Sequence, residues 1–271
     1  MTWANNSYTR YLKYITMSLK ERSNFRIDFF IRLATGFISS YARVVVWVVI
    51  LGANTAAISA DLASHTIQYM IMTGFLLVIV YSGPRDAIFQ RIQDGSIGRD
   101  LLYPVSLPVT LYFQALGDAF FGLLVRGMPT LVVLSLLFSI RWTVSPVGIV
   151  LFIVFALIGF TINFFISRIV EMAAFWVYEV RGLDYIHSAV REFFAGGFIP
   201  LWFYPMWILP VVNFLPFRNI VYTPIAFFLG TYGLHDAPRH LSVSLGWCAV
   251  FGVVAMLVWR AGIKETVING G

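Results

Sequence analysis

Apolar residues in this 271-residue chain fall into runs of about twenty, long enough to cross a bilayer as single helices. Five runs do so simply: Phe29 to Leu51, Leu62 to Tyr81, Ala119 to Ile140, Val147 to about Val177, and Leu241 to Val258. A sixth, Leu183 to Pro200, contains Asp184, His187, Arg191 and Glu192, and it must cross if the basic ends of the chain are to share one side. Before the first run, Tyr8, Tyr11, Leu12, Ile15 and Leu19 recur at helical spacing opposite Arg10, Lys13, Thr16 and Lys20. That pattern predicts an amphipathic helix lying in the membrane surface, within an elbow region spanning 1–27. The stretch from Phe194 to Gly230 is too long for one crossing, and Pro200, Pro205, Pro210, Pro216 and Pro224 interrupt it. A proline inside a helix costs about 3 kcal/mol, so two half-helices that dip into the membrane and return are expected within 198–240.

Composition narrows the class. Hydrophobic residues make up 59% of the chain, aromatic ones 17% and charged ones 12%, whereas a soluble domain carries roughly 25% charged residues. No soluble fold of this length hides so much apolar surface. The net charge of +6 therefore points to an anionic membrane face and not to nucleic acid. Twelve basic residues lie in the segments assigned to one side, against Arg141, Arg218 and Arg239 on the other. By the positive-inside bias both termini are cytoplasmic and the number of spans is even. No secretory leader is expected, because no apolar core precedes Phe29.

Several chemistries find no support. The only lysines are Lys13, Lys20 and Lys264, and none follows a glycine-rich phosphate loop. The sequence has no HExxH or GxSxG motif, and His65, His187, His235 and His240 are scattered. Cys248 stands alone in an apolar run and reads as a small buried hydrophobe. Catalytic residues and a metal site are not expected, and ATP hydrolysis would belong to another chain.

One cytoplasmic loop, 83–108, reads GPRDAIFQRIQDGSIGRDLLYPVSLP. Arg85 to Ile92 predicts a short helix, with Gly95 and Gly98 as breakers and Pro104 and Pro108 before the third span. A charged helix bounded by turns suits docking to a partner, with a plain solvated loop as the alternative. The coupling candidates are Arg85, Asp86, Phe89, Arg91, Ile92, Asp94, Gly95 and Gly98.

Four segments together resemble a known family. They are the basic surface helix, the Ile92 to Ile97 segment running on to Leu102-Tyr103-Pro104, the segment from Phe194 through Gly196, Gly197 and Pro200 to Pro205 and on to Leu215-Pro216-Phe217, and the terminal Asn269-Gly270-Gly271. The chain is similar to type-two ABC exporter permeases, in the bacterial branch where two permease subunits work with one type of ATPase. It departs from that pattern at Tyr103, where an arginine often precedes the proline. The resemblance implies an all-α integral membrane protein with six transmembrane helices, an elbow helix, a cytoplasmic coupling helix and re-entrant half-helices between spans five and six. It also implies a nucleotide-binding ATPase that carries ATP and Mg, a second permease subunit, and a place in a bacterial inner membrane.

Charges inside apolar runs need partners, since a mid-membrane arginine costs roughly 2.5–3.5 kcal/mol on insertion scales. Asp28 and Arg32 are spaced to pair along one helix. Asp184, His187 and Arg191 share a face of span five, beside Glu192. Either they line a conduit, or they pair with Arg126, Arg43 or Glu171 on neighbouring helices. The family resemblance makes Tyr69, Met72, Thr73, Phe75, Phe193, Phe194 and Phe198 candidate substrate contacts. Phe194, Phe198 and Trp202, in the proline-broken segment, are read as an apolar outer gate.

The expectation is thus a single permease domain, 1–271, that exports a hydrophobic or amphiphilic compound by alternating access. An ion-gradient-driven transporter or channel is the alternative, and a lipid-modifying enzyme lacks a convergent acid, base or metal cluster.

Overall fold

A computed structural model describes residues 26–53, 59–84, 86–102 and 105–269 of the protein. The described residues form helices and connecting turns, with no strand among them. Helix α1 is Arg26–Ala53 and α2 is Ala60–Val80, followed by two short helices, α3 (Ala87–Gln93) and α4 (Ile97–Asp100). Helix α5 (Leu107–Gly122) runs through a π-helical segment, Leu123–Gly127, into α6 (Met128–Leu137). Then come α7 (Pro146–Met172), α8 (Arg181–Phe194), α9 (Leu209–Phe214), α10 (Tyr222–Phe228) and α11 (Ala237–Asn269).

Among the described residues, five helices are long and apolar enough to cross a membrane: Leu33–Ala53, Ala60–Val80, Leu107–Leu137, Pro146–Phe175 and Leu234–Glu265. The third starts well before the expected Ala119, because Ser106 stands at its N-cap and Pro108 lies in the first turn, where a missing N–H costs nothing. Ser59 and Ser145 cap α2 and α7 by accepting from the amides of Leu62 and Gly148. The expected sixth span is not a helix of that kind. Helix α8 has 14 residues, about 21 Å, where a crossing helix needs about 20 residues. The predicted elbow helix, like the Asp28–Arg32 pairing, falls outside the described residues or side chains.

Helix α2 is the central element. Its residues from Tyr69 to Leu77 are buried all round, in one cluster with Val44 of α1, Leu134 of α6, Phe152 and Ile162 of α7, and Ile220 and Ile225. The outer faces of the other long helices present Leu136, Val150, Val253 and Leu257, each more than half exposed. Lipid tails are as apolar as these side chains, so in a bilayer that exposure carries no penalty.

The proline-rich segment breaks as the prolines dictate. Pro200 precedes a tight turn at Leu201–Phe203, Pro210 lies in the first turn of α9, Pro216 opens a turn at Pro216–Asn219, and Pro224 sits early in α10. At Gly196, in the left-handed region (φ +81°), the carbonyl accepts from Tyr69 Oη at 2.9 Å. The Phe198 carbonyl accepts from Trp47 Nε1 of α1 at 3.0 Å. The chain later returns, and Phe217 stacks on Phe194 with centroids 6.3 Å apart. A β-carbon on Gly159 of α7 would lie 2.7 Å from the Asn219 carbonyl oxygen, and one on Gly148 would lie 2.9 Å from that of Phe227. These two glycines are about 16 Å apart along α7, so α10 runs antiparallel to α7 along its N-terminal half.

Candidate functional site

Helix α3 is too short to be stable alone. Its first-turn amides, which have no intrahelical partner, meet a carboxylate of α7. Glu171 Oε1 accepts from the amide of Asp86 at 3.2 Å and Oε2 from that of Ile88 at 3.1 Å. Arg168 holds the same carboxylate at 2.6 Å and donates to the Pro84 carbonyl at 3.2 Å. Asp86 itself takes a left-handed backbone (φ 55°), an uncommon conformation for a residue with a side chain. Ala87 and Ile88 pack against Leu107, Leu111, Phe160 and Phe164, while Phe89 packs with Ala174 and Val180. Gln93 Nε2 donates to the Tyr178 carbonyl at 2.8 Å. Helix α3 is thus bolted to the end of α7 and to the turn that follows it.

These contacts sort the coupling candidates. Phe89 faces inward, and Ile92 is half-buried. Arg91 is committed within the loop: Nε pairs with Asp100 Oδ2 at 2.8 Å, and Nη1 donates to the Ala87 carbonyl at 2.8 Å. Asp94, Gly95 and Gly98 lie on the open side, whereas Arg85 is outside the described residues. The Asp94 carboxylate accepts from the Ser96 amide at 2.9 Å, and the Ser96 hydroxyl and amide hold its pKa below the usual carboxylate range. Leu102 is 85% exposed at the tip of this loop. Sequence reasoning did not single out Leu102 or Arg168 as site residues and did not see that Glu171 serves α3; an apolar Leu101-Leu102 pair inside a charged loop was the available signal.

A cavity of about 740 Å³ opens between α1, α2, the π-helical segment and α8. Its polar lining includes Ser39, Ser40, Arg43, Asp118, Arg126 and Glu192. The π-helical segment holds Arg126 at this wall, and single π-turns frequently mark functional positions. Glu192 lies 3.7 Å from Arg43 and accepts from Tyr81 Oη at 2.7 Å. The Arg191 guanidinium stacks over the Tyr81 ring at 4.4 Å and donates to Asn163 Oδ1 at 2.7 Å. Asn163 in turn donates to the Val80 carbonyl at 2.8 Å. One polar network therefore ties α8 to α1, α2 and α7. Beside it a cavity of about 60 Å³, lined by Asp184, Ser188 and Arg191, is large enough for a few waters.

The candidate substrate contacts fall in three places. Tyr69, Met72, Thr73 and Phe75 are buried in the core, and the large cavity is lined instead by Gly74, Leu77 and Val78 of the same helix. His187 and Arg191 are buried on α8. Phe193 and Phe194 end α8, and Phe198 and Trp202 belong to the segment that leaves it. Phe193 stacks edge-on with Phe194 at 5.1 Å and Tyr204 at 5.3 Å, Phe198 lies under Arg43 at 5.8 Å, and Trp202 meets Tyr69 at 5.0 Å. The bonds of Asn163 to Arg191 and of Tyr81 to Glu192 have no signature in local sequence.

A family described as ABC-2 family transporter protein matches residues 30–270 of the chain. No curated protein matches it.

Proposed function

We propose, for a chain that belongs to the ABC-2 transporter family, that it is the membrane subunit of an ABC exporter for hydrophobic or amphiphilic compounds. The observation that carries this reading is the Glu171 carboxylate seated on the first-turn amides of α3. A partner ATPase, loaded with ATP and Mg, would receive the exposed side of the loop: Asp94, Gly95, Gly98 and Leu102. Because α3 is bolted to α7, a push on the loop is transmitted to the long helix and not absorbed by a flexible connection.

In this reading the loop side and both termini are cytoplasmic, in a bacterial inner membrane, and a second permease subunit completes the pathway. The 740 Å³ cavity is the inward vestibule, with Arg43 and Glu192 meeting polar parts of the cargo. Helix α8 together with residues 195–203 makes a broken fifth crossing, and 204–236 caps the outer mouth with Phe194, Phe198 and Trp202 at the gate. A broken crossing is tolerated in a membrane when protein shields its open backbone, as Tyr69 and Trp47 do for the carbonyls of Gly196 and Phe198.

The test is purification of the full chain from its native membrane. An ATPase should co-purify, and Leu102→Glu should abolish its capture while the permease still inserts. Transport that follows an ion gradient, with no ATPase retained, would favour the secondary-transporter reading.

A further inference from the structure

A second large cavity, of about 510 Å³, lies in the half of the molecule remote from α3, between the Leu201–Phe203 turn, the Pro216–Asn219 turn and the start of α11. Three of its lining residues bury a donor that has no acceptor among the described residues: Trp202 Nε1, Arg218 Nε and Asn219 Nδ2. Asn219 is only 2% exposed, and its Oδ1 accepts from Thr223 Oγ1 at 3.4 Å, while its amide nitrogen, beside the cavity, is left without an acceptor. Arg218 is held in place by Asn213 Oδ1 and Tyr232 Oη and lies over the Tyr222 ring at 5.5 Å. Its third nitrogen, Nε, is left over.

All three orphans are donors. An unmet buried donor is costly, so three around one cavity call for a ligand rich in acceptors. The charge agrees: the lining carries Arg218 and Arg239 against one carboxylate, Asp236, whose Oδ2 already accepts from the Gly233 amide at 2.9 Å. Leu201, Leu209, Tyr222 and Val243 supply an apolar wall next to these groups.

We propose that this cavity binds the oxyanion head of an amphiphile, phosphate or carboxylate, with its apolar part along Leu201, Leu209 and Val243. Asn219 and Trp202 donate to the oxyanion, Arg218 adds charge from a fixed guanidinium, and exposed Arg239 draws the anion to the rim. The site does not depend on the ATPase partnership, so failure of one reading leaves the other standing.

The experiment titrates the full-length protein in neutral detergent with dioleoylphosphatidylglycerol, inorganic phosphate or uncharged dioleoylglycerol, and follows the melting midpoint. Phosphatidylglycerol should raise it saturably, and dioleoylglycerol should not. A response to phosphatidylglycerol alone identifies a lipid-like ligand held by head and tail together; a response to inorganic phosphate as well identifies a site for which the free oxyanion suffices. Trp202→Phe keeps an aromatic ring while deleting the Nε1 donor, and should weaken binding about tenfold. Arg239→Gln on the exposed rim should weaken it roughly threefold without disturbing the fold. Equal stabilisation by dioleoylglycerol, or titration curves unchanged in both variants, would overturn the proposal.

Discussion

Two segments lean on α7, and they are held in opposite ways. At its C-terminal end the α3 loop is fixed by charge: one carboxylate accepts from two amides and is itself held by Arg168. Along its N-terminal half the α10 segment is fixed by shape, with backbone carbonyls seated against Gly159 and Gly148. Hydrogen bonds to an ionised group are directional and lose most of their energy when displaced. Close packing on glycine has no preferred direction along the helix and permits sliding. The proposed coupling joint uses the first construction, and the proposed outer mouth uses the second.

The largest effect that would break this contrast is expected at Glu171. Glu171→Ala leaves Arg168 buried without its carboxylate, at a cost of about 3–5 kcal/mol. Thermal melting should show the loss, and a complex assembled from variant that still inserts should hydrolyse ATP on the partner ATPase without transport. Near-normal melting with full transport would mean that the apolar contacts of Ile88 and Phe89 alone hold the joint.

Phe152 and Phe194 sharpen the contrast on the shape side. Phe152 is 6% exposed and packs on Phe75 and Phe228, so Phe152→Ala should cost about 3–5 kcal/mol through a cavity. Phe194→Ala, at a half-buried site, should cost less in melting yet raise leak or basal ATPase activity in a reconstituted complex. Equal and small effects at both would remove Phe194 from the gate.

Gly159→Ala comes next. Its methyl would press on the Asn219 carbonyl and Ile220 backbone, an overpacking worth about 1–3 kcal/mol. Gly36→Ala, in a helix with nothing within 4 Å, is the matched control and should melt no lower than the parent. The smallest effect is expected at Asp94. Its depressed pKa means that whatever it contributes is present above the usual carboxylate value of about 3.9 and is lost only as pH falls through the lower folded value. Melting of the parent and of Asp94→Asn should therefore run in parallel between about pH 6 and 8; divergence there would mean that another group titrates with it.

Much of the helical plan was legible because hydropathy is a local property. The five apolar runs became five long helices, and the Arg85 to Ile92 helix appears one to two residues further along, as α3. The charges near span five were legible as needing partners, and Arg43 does meet Glu192. Their geometry was not: α8 ends after 14 residues, since the turn at Gly196 and the run of prolines halt it.

The sequence alone determined that the chain is a helical membrane protein, where its long helices lie, and that residues 194–230 cannot be one helix. Those conclusions rest on side-chain transfer energies and backbone chemistry, which act within a few neighbouring residues. Only the tertiary structure decided that Glu171 serves α3, that a π-turn holds Arg126 at the large cavity, and that Trp202, Arg218 and Asn219 bring unmet donors to one space. Each of these depends on groups far apart in the chain meeting at hydrogen-bond range, and no periodicity records where a second helix will pass.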